Sequence, residues 1–448
     1  MNSKILFSGL LFFIFSASNF LFGQCPSILE TQYQIDNFSI LYPNCTEITS
    51  SLTIEERDPA TITNLSGLSQ ITKIKTLYIR NNAALINLQG LNNLTEVTDI
   101  NNNGRLYIIN NQSLQSLQGL ENLQEVSQIL SILDNSALTS IEALANLSST
   151  TMDIVIENNP SLTSLLGLNN ITFSDGIFIT NNNALVNLNG LNNLTGTESL
   201  KIIANQNLID LQGLNSLMNV GEHGIEIYAN PSLESFDGLE NLESSASFYI
   251  SGNISVTSIE GFSSLSTSSN FGIVGSPLLT NLNGLENLTS VYFLDFEGND
   301  MLSNISALSN VDMTNLYSLV IHGSPQLSVC NYPNICQYLN DPNNYAIIYD
   351  NASGCNTRVE ILQACGLLDI SENTDVKQIT IYPNPTSNNF TILGIEKGII
   401  QITDSRGRIL KTFAIEKDEL ELNGLAEGIY FVNISNEKGS ATKRLIKI

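Results

Sequence analysis

The chain has 448 residues, of which 43 are Asp or Glu and 18 are Lys or Arg, giving a net charge of −25. The excess lies entirely within residues 1–371, with 33 acidic and 8 basic side chains, whereas residues 372–448 hold 10 of each. A surface of that sign repels nucleic acid and anionic lipid headgroups; it reads first as what keeps a long exposed rod soluble, with attraction of cationic ligands or divalent ions as the alternative.

Residues 1–24 read as a signal peptide: Lys4 supplies the positive start, Ile5 to Phe15 form an apolar run, and Ser16, Ser18 and Asn19 interrupt it before Gly23-Gln24. No later stretch is apolar enough to span a bilayer, so no transmembrane segment is expected after the leader is removed. Cys25 follows Gln24, where a lipoprotein would place a small residue, and lipidating it would strand Cys45.

The six cysteines flank the middle of the chain: Cys25 and Cys45 before it, and Cys330, Cys336, Cys355 and Cys365 after it. In an exported chain an even count reads as disulfides. Cys25 is expected to pair with Cys45 in an N-terminal cap over residues 25–61. Two further bridges are expected in a C-terminal cap over 329–370. Their connectivity is open, with Cys330–Cys355 and Cys336–Cys365 as the working assignment. The irregular spacing and the lack of nearby His argue against a metal site.

Between the caps, over residues 62–328, one apolar phrase recurs twelve times, clearest as Leu185-x-x-Leu188-x-Gly190-Leu191-x-x-Leu194. Its copies start at Ile62, Leu85, Leu114, Leu138, Leu162, Leu185, Leu208, Leu233, Val256, Leu279, Leu302 and Leu327, in steps of 23 to 29 residues. A period in this range implies a stacked solenoid with one coil per repeat. Eight and six residues before each of the eleven starts from Leu85 onward lies an apolar pair, such as Ile177/Ile179 or Leu200/Ile202. The alternation predicts a short strand with two side chains pointing inward, and stacking these strands yields a long parallel sheet. At ~4.8 Å per strand, about twelve coils extend roughly 55 Å. A lone coil buries too little to repay the ordering of its backbone, so stability comes from stacking.

A second column lies three residues before each of the eleven starts from Leu85 onward: Asn82, Asn111, Asn135, Asn159, Asn182, Asn205, Asn230, Asn253, Ser276, Asn299 and Ser324. Asn suits the sharp turn after a strand, where it tolerates unusual backbone angles. Stacked, its amides can also satisfy the neighbouring coil in a ladder. The small residue at Gly90, Gly119, Gly167, Gly190, Gly213, Gly238, Gly261 and Gly284, replaced by Ala143 and Ala307 in two copies, closes the bend before the next apolar residue.

The phrase Leu77-x-Ile79-x-x-Asn82-x-x-Leu85 resembles the leucine-rich-repeat family. With Cys45-Thr46-Glu47-Ile48 leading into Leu52-Thr53-Ile54, the segment over about residues 25–366 is most similar to the receptor L-domain branch. The resemblance implies a right-handed parallel β-solenoid with little helix, but it carries over no ligand-contact motif.

Residues 371–377 form a polar linker, and short β-type runs follow at 378–382, 389–392, 399–403, 409–414, 419–422, 428–434 and 443–448. Seven runs in so short a segment predict a small immunoglobulin-like β-sandwich, making the whole chain all-β. The segment 378–448 closely resembles the C-terminal sorting domain of bacterial type IX secretion. The matching residues are Tyr382-Pro383-Asn384-Pro385-Thr386, Gly407-Arg408, Leu425-x-x-Gly428-Ile429-Tyr430-Phe431-Val432 and the terminal Lys443-Arg444-Leu445-Ile446-Lys447-Ile448. The resemblance implies export across the inner and outer membranes by the type IX secretion machinery, clipping near 370–378, and a final location at the cell surface or outside the cell.

Catalytic patterns are missing. His223 and His322 sit far apart without nucleophile or metal-ligand spacing, and no phosphate loop, HExxH or GxSxG phrase occurs. No cofactor, metal or enzymatic activity is therefore expected. Asp295 and Glu297, two apart on one strand, read as solvated surface. The outward sheet positions carry aromatics and cations at Tyr78, Arg80, Tyr107, Phe178, Tyr228 and Tyr249, which suit sugar rings or protein side chains. Together these readings imply a surface-displayed recognition or adhesion protein for an extracellular protein or glycan. A spacer or matrix component without a specific ligand is the alternative.

Overall fold

Every apolar position of the recurring phrase is buried, and that burial makes one coil stack on the next. Along one coil Leu188, Leu191, Leu194, Leu200, Ile202 and Leu208 are all fully buried. The structure is a computed structural model that describes residues 24–58, 61–148, 150, 152–368, 379–393, 398–414, 420–436 and 439–448. The expected signal peptide, apart from Gln24, and the expected linker 371–377 lie outside those residues. The chain divides into two compact units, Met1–Leu367 and Leu368–Ile448.

In the first unit the strands join one parallel sheet of 16 strands. Its main path runs from Ile28–Leu29 and Glu47–Ile54 through each coil in chain order to Ser318–His322 and Tyr345–Tyr349. Each coil pairs with both neighbours in register: Leu200 and Ile202 lie beside Ile177 and Ile179 on one side and beside Ile225 and Ile227 on the other. The inward pair of every strand therefore stacks on the pair of the next, and the core is one continuous column. The longest step, between Leu85 and Leu114, is absorbed by a loop at 99–103 in which the Asp99 carboxylate accepts from the backbone N–H of Asn101 (2.8 Å) and Asn103 (2.9 Å). Lys75 pairs with Asp99 at 2.9 Å and, together with those N–H groups, holds its carboxyl well below the usual range.

Turns close each coil in two ways. At Gly190, φ is +123° and a Cβ would lie 2.1 Å from the Leu165 carbonyl oxygen, so only glycine fits. Gly261, Ala143 and Ala307 instead sit in 3₁₀ turns at Glu260–Phe262, Glu142–Leu144 and Ser306–Asn310 without positive φ. Residues 143 and 307 carry alanine there, whereas a Cβ at Gly261 would lie 2.0 Å from the Phe236 carbonyl oxygen.

The unusual backbone angle expected at the asparagine column falls one residue earlier. Asn81, Asn110, Asn158, Asn181, Ala204 and Ala229 have φ between 55° and 57°, and Gly252, Gly275, Gly298 and Gly323 take that place in later coils. The left-handed residue turns the chain so that the next residue's N–H points along the stack. That next residue is the ladder member. The Asn182 N–H donates to Asn205 Oδ1 at 2.9 Å, the Asn205 N–H donates to Asn230 Oδ1 at 2.9 Å, and the Asn205 amide donates back to the Ile179 carbonyl at 2.9 Å. The pattern runs from Asn82 to Asn253, and all of these side chains are fully buried. It breaks at Ser276 and Ser324, whose buried hydroxyls have no partner among the described residues, although each backbone N–H still reaches Asn299 or Asn351.

The ends are covered by short helices and disulfides. Helix Gln32–Asp36, with a capping box between Thr31 and Gln34, packs with Phe38–Leu41 near the Cys25–Cys45 bridge. At the other end the bridges are Cys330–Cys355 and Cys336–Cys365, alongside helices Pro333–Asn340 and Arg358–Ala364. These segments hide the apolar faces that a missing neighbour would have covered.

The second unit is antiparallel. One sheet orders Thr380–Tyr382, Asn389–Leu393 and Leu420–Glu421; the other orders Ile409–Ala414, Ile399–Thr403, Gly428–Asn436 and Gly439–Lys447. Ile381, Phe390, Ile402, Leu422, Val432 and Leu445 form its core. The last strand begins earlier than its sequence pattern suggested, because Gly439–Lys447 pairs along the full length of Gly428–Asn436.

Candidate binding face

Residues between the two inward positions of each strand point away from the core, so the outward face of the long sheet is built from one row of side chains per position. The six residues expected to form a binding surface fall at three separate places on it. Tyr78 and Tyr107 stack at 4.7 Å with rings 3° apart, and Arg80 lies 5.9 Å from the Tyr78 ring while pairing with Glu55 at 2.8 Å. Phe178 sits several coils further on, with Lys201 5.8 Å from its ring; Lys201 also pairs with Glu226 at 2.8 Å. Tyr228 and Tyr249 meet edge-on at 5.6 Å, and Tyr249 is 56% exposed. The cations of the first two groups are already paired, whereas Tyr249 borders open space.

That space is an open-topped cleft of about 280 Å³ walled by Tyr249, Asn270, Val274 and Phe293, with Gly272 and Asp295 in it. It forms because the outward row reads Tyr249, Gly272, Asp295 across three adjacent strands. Gly272 brings no side chain, and the Asp295 Cβ leans over it, 3.1 Å from where a Cβ on residue 272 would stand. The reading of Asp295 as solvated surface is thereby corrected. Its carboxyl is half-buried, and its Oδ1 is buried with no hydrogen-bond partner among the described residues. Burial, and then the neighbouring Glu297 carboxylate, push the Asp295 carboxyl above the ordinary range, and His322 opposes them. Glu297 lies 3.6 Å from His322 Nε2, and the His322 ring stacks on Tyr349 at 4.3 Å. Beside this group, Tyr292 and Tyr317 are exposed and stack at 5.5 Å.

A second hollow, about 420 Å³, runs along the turn edge at Gln112, Asp134 and Asn158. Its polar groups satisfy one another: the Gln112 amide donates to Asn110 Oδ1 (2.6 Å) and the Asp134 carbonyl (3.0 Å), and the Asn158 amide donates to Asp134 Oδ1 (3.0 Å). It offers a ligand little.

In the second unit the residues of the sorting resemblance pin the chain terminus. The Asn384 amide donates to the Arg444 carbonyl at 2.6 Å, and Asn384 Oδ1 accepts from the Ile446 N–H at 2.9 Å. Both flanking bonds, Tyr382–Pro383 and Asn384–Pro385, are cis. Thr386 bonds Ile446 and Ile448 through its backbone, each at 2.9 Å. Lys447 Nζ donates to the carbonyls of Leu425 (2.7 Å) and Leu422 (3.2 Å). The Tyr430 hydroxyl reaches back to the Ala426 carbonyl at 2.7 Å, a tyrosine-corner arrangement. Gly428 and Lys443 lie on the paired strands Gly428–Asn436 and Gly439–Lys447.

The comparisons with known proteins agree with these two units. Residues 380–448 match the family model described as secretion system C-terminal sorting domain, and residues 44–143 match that of the receptor L domain. No curated protein matches the chain. A solved structure of PorZ, described as an essential bacterial surface component of the type IX secretion system of Porphyromonas gingivalis, shares 26% identity over 18% of this chain. The match spans only 12% of that structure's length at a TM-score of 0.16, too low to bear on fold or function. The sorting domain marks this chain as a type IX secretion substrate, exported to the cell surface or the extracellular space. Among the described residues no helix is long and apolar enough to cross a membrane.

Proposed function

We propose that the exported chain is a non-enzymatic recognition or adhesion protein that binds an extracellular protein or glycan through the outward face of its solenoid sheet. The observation that carries this reading is the uncovered stretch of sheet from Tyr228 to Tyr349, where Tyr249, Tyr292 and Tyr349 stand exposed on hydrogen-bonded strands and Tyr317 stands exposed just before one. Rigid aromatics lose little freedom on binding, so they suit recognition. The stacking of identical coils supplies the rigidity, and the sorting domain supplies the display.

The test is a panel of glycans and secreted proteins probed with the purified full chain and with Tyr228→Ala and Tyr249→Ala variants. Saturable capture at one site per chain, lost in the variants at unchanged thermal stability, is the expected result. Self-assembly of the chain with no capture would instead favour a spacer or matrix role.

A further inference from the structure

Residues 202–357 contain fifteen Asp and Glu and not one Lys or Arg. This stretch includes the cleft at Gly272 and all the strands beside it. No internal ammonium or guanidinium from these coils can therefore neutralise Asp295, and among the described residues His322, which contacts Glu297, is the basic side chain that acts on it. A half-buried carboxylate whose Oδ1 lacks a partner is costly to maintain. The cleft also has a chemical character: Asp295 lines it together with the aromatic residues Tyr249 and Phe293 and with Asn270.

We propose that this cleft receives an arginine side chain presented by an extracellular protein partner. The planar guanidinium donates two parallel hydrogen bonds to a carboxylate and stacks its face on aromatic rings, so one group satisfies Asp295 and the aromatic residues together. A neutral sugar would meet the walls but leave the charge of Asp295 uncompensated. The acidic coils on both sides, with Glu297 and Glu226 on the same face, steer a basic segment toward the cleft. Gly272 keeps the space open, because a Cβ there would stand 3.1 Å from the Asp295 Cβ, a tight contact. This proposal rests on the recognition reading and assigns its site and its ligand chemistry.

The experiment titrates the purified full chain with acetyl-Gly-Arg-Gly-amide and with its neutral isostere, acetyl-Gly-citrulline-Gly-amide, by calorimetry. A set of neutral oligosaccharides is run alongside. The expected result is saturable 1:1 binding of the arginine peptide, weakened about tenfold or more by citrulline and by Asp295→Asn, and also weakened by Phe293→Leu. Asp295→Asn removes a poorly solvated charge, so its melting temperature should not fall; a melt confirms that the variant is folded. Equal binding of the two peptides, or of wild type and Asp295→Asn, overturns the proposal. Oligosaccharide binding on the sheet that ignores Asp295→Asn overturns it and leaves the recognition reading standing. No binding of any of these, together with no capture in the wider panel, overturns both.

Discussion

Replacing Asn205 by Ala is the sharpest test of the ladder, because Ser276 provides a control at the same position of another coil. Asn205→Ala withdraws the acceptor of the Asn182 N–H (2.9 Å) and the donor to the Ile179 carbonyl (2.9 Å), at a site with no solvent exposure to compensate. Each buried group left without a partner costs about 1–3 kcal/mol, so the two together give a loss of about 2–6 kcal/mol. Ser276 is equally buried, yet its hydroxyl holds no partner among the described residues, so Ser276→Ala should change stability by less than about 0.5 kcal/mol. Urea unfolding followed by circular dichroism measures both. Native-state hydrogen exchange adds a local readout, because the Asn182 amide should lose protection selectively. If Asn205→Ala and Ser276→Ala fall within 1 kcal/mol of each other, the ladder is not what holds the coils in register.

Ala204 and Ala229 are the two alanines in the left-handed column, at φ 56° and 57°, so glycine at either should stabilise by about 0.5–1 kcal/mol in the same unfolding assay. The Asp295 carboxyl titrates higher in the folded chain than in the unfolded one. Its contribution to stability is therefore fully present below the unfolded value and is lost as pH rises through the folded value. Asp295→Asn should melt higher than wild type at pH 7, and the gap should narrow as pH falls toward the ordinary aspartate range. Chains lacking residues 373–448 should accumulate in the periplasm, as fractionation and surface proteolysis would report; undiminished export would refute the role of the sorting domain.

The architecture was legible because periodicity records it. Inward pairs such as Leu200/Ile202 and the asparagine column each repeat at a fixed distance from the next copy, and the burial of both depends on that register alone. The position of the left-handed residue was misread by one place. The doublets Asn81-Asn82 and Asn181-Asn182 hide which member turns, whereas Gly252-Asn253 and Gly298-Asn299 reveal it, since glycine takes the strained site. The Asp295 cleft was missed for a different reason. Its burial is a property of a row rather than of a strand: Gly272 one coil earlier withdraws its side chain, and Phe293 two residues earlier supplies a wall. Reading the outward row across coils as Tyr249, Gly272, Asp295 exposes the notch; judging Asp295 and Glu297 along their own strand does not. The contacts of Asn384 with Arg444 and Ile446 span some sixty residues of chain, and no local pattern announces them.

The claim that the outward sheet face does the recognising is tested most directly by photo-crosslinking on intact cells. A photoreactive residue replaces either Ser251, on that face beside Tyr228 and Tyr249, or Asn241, exposed on a turn of the same coil. Discrete adducts with an external partner should form from position 251 and not from position 241. Adducts from both positions alike, or from position 241 alone, would contradict the account.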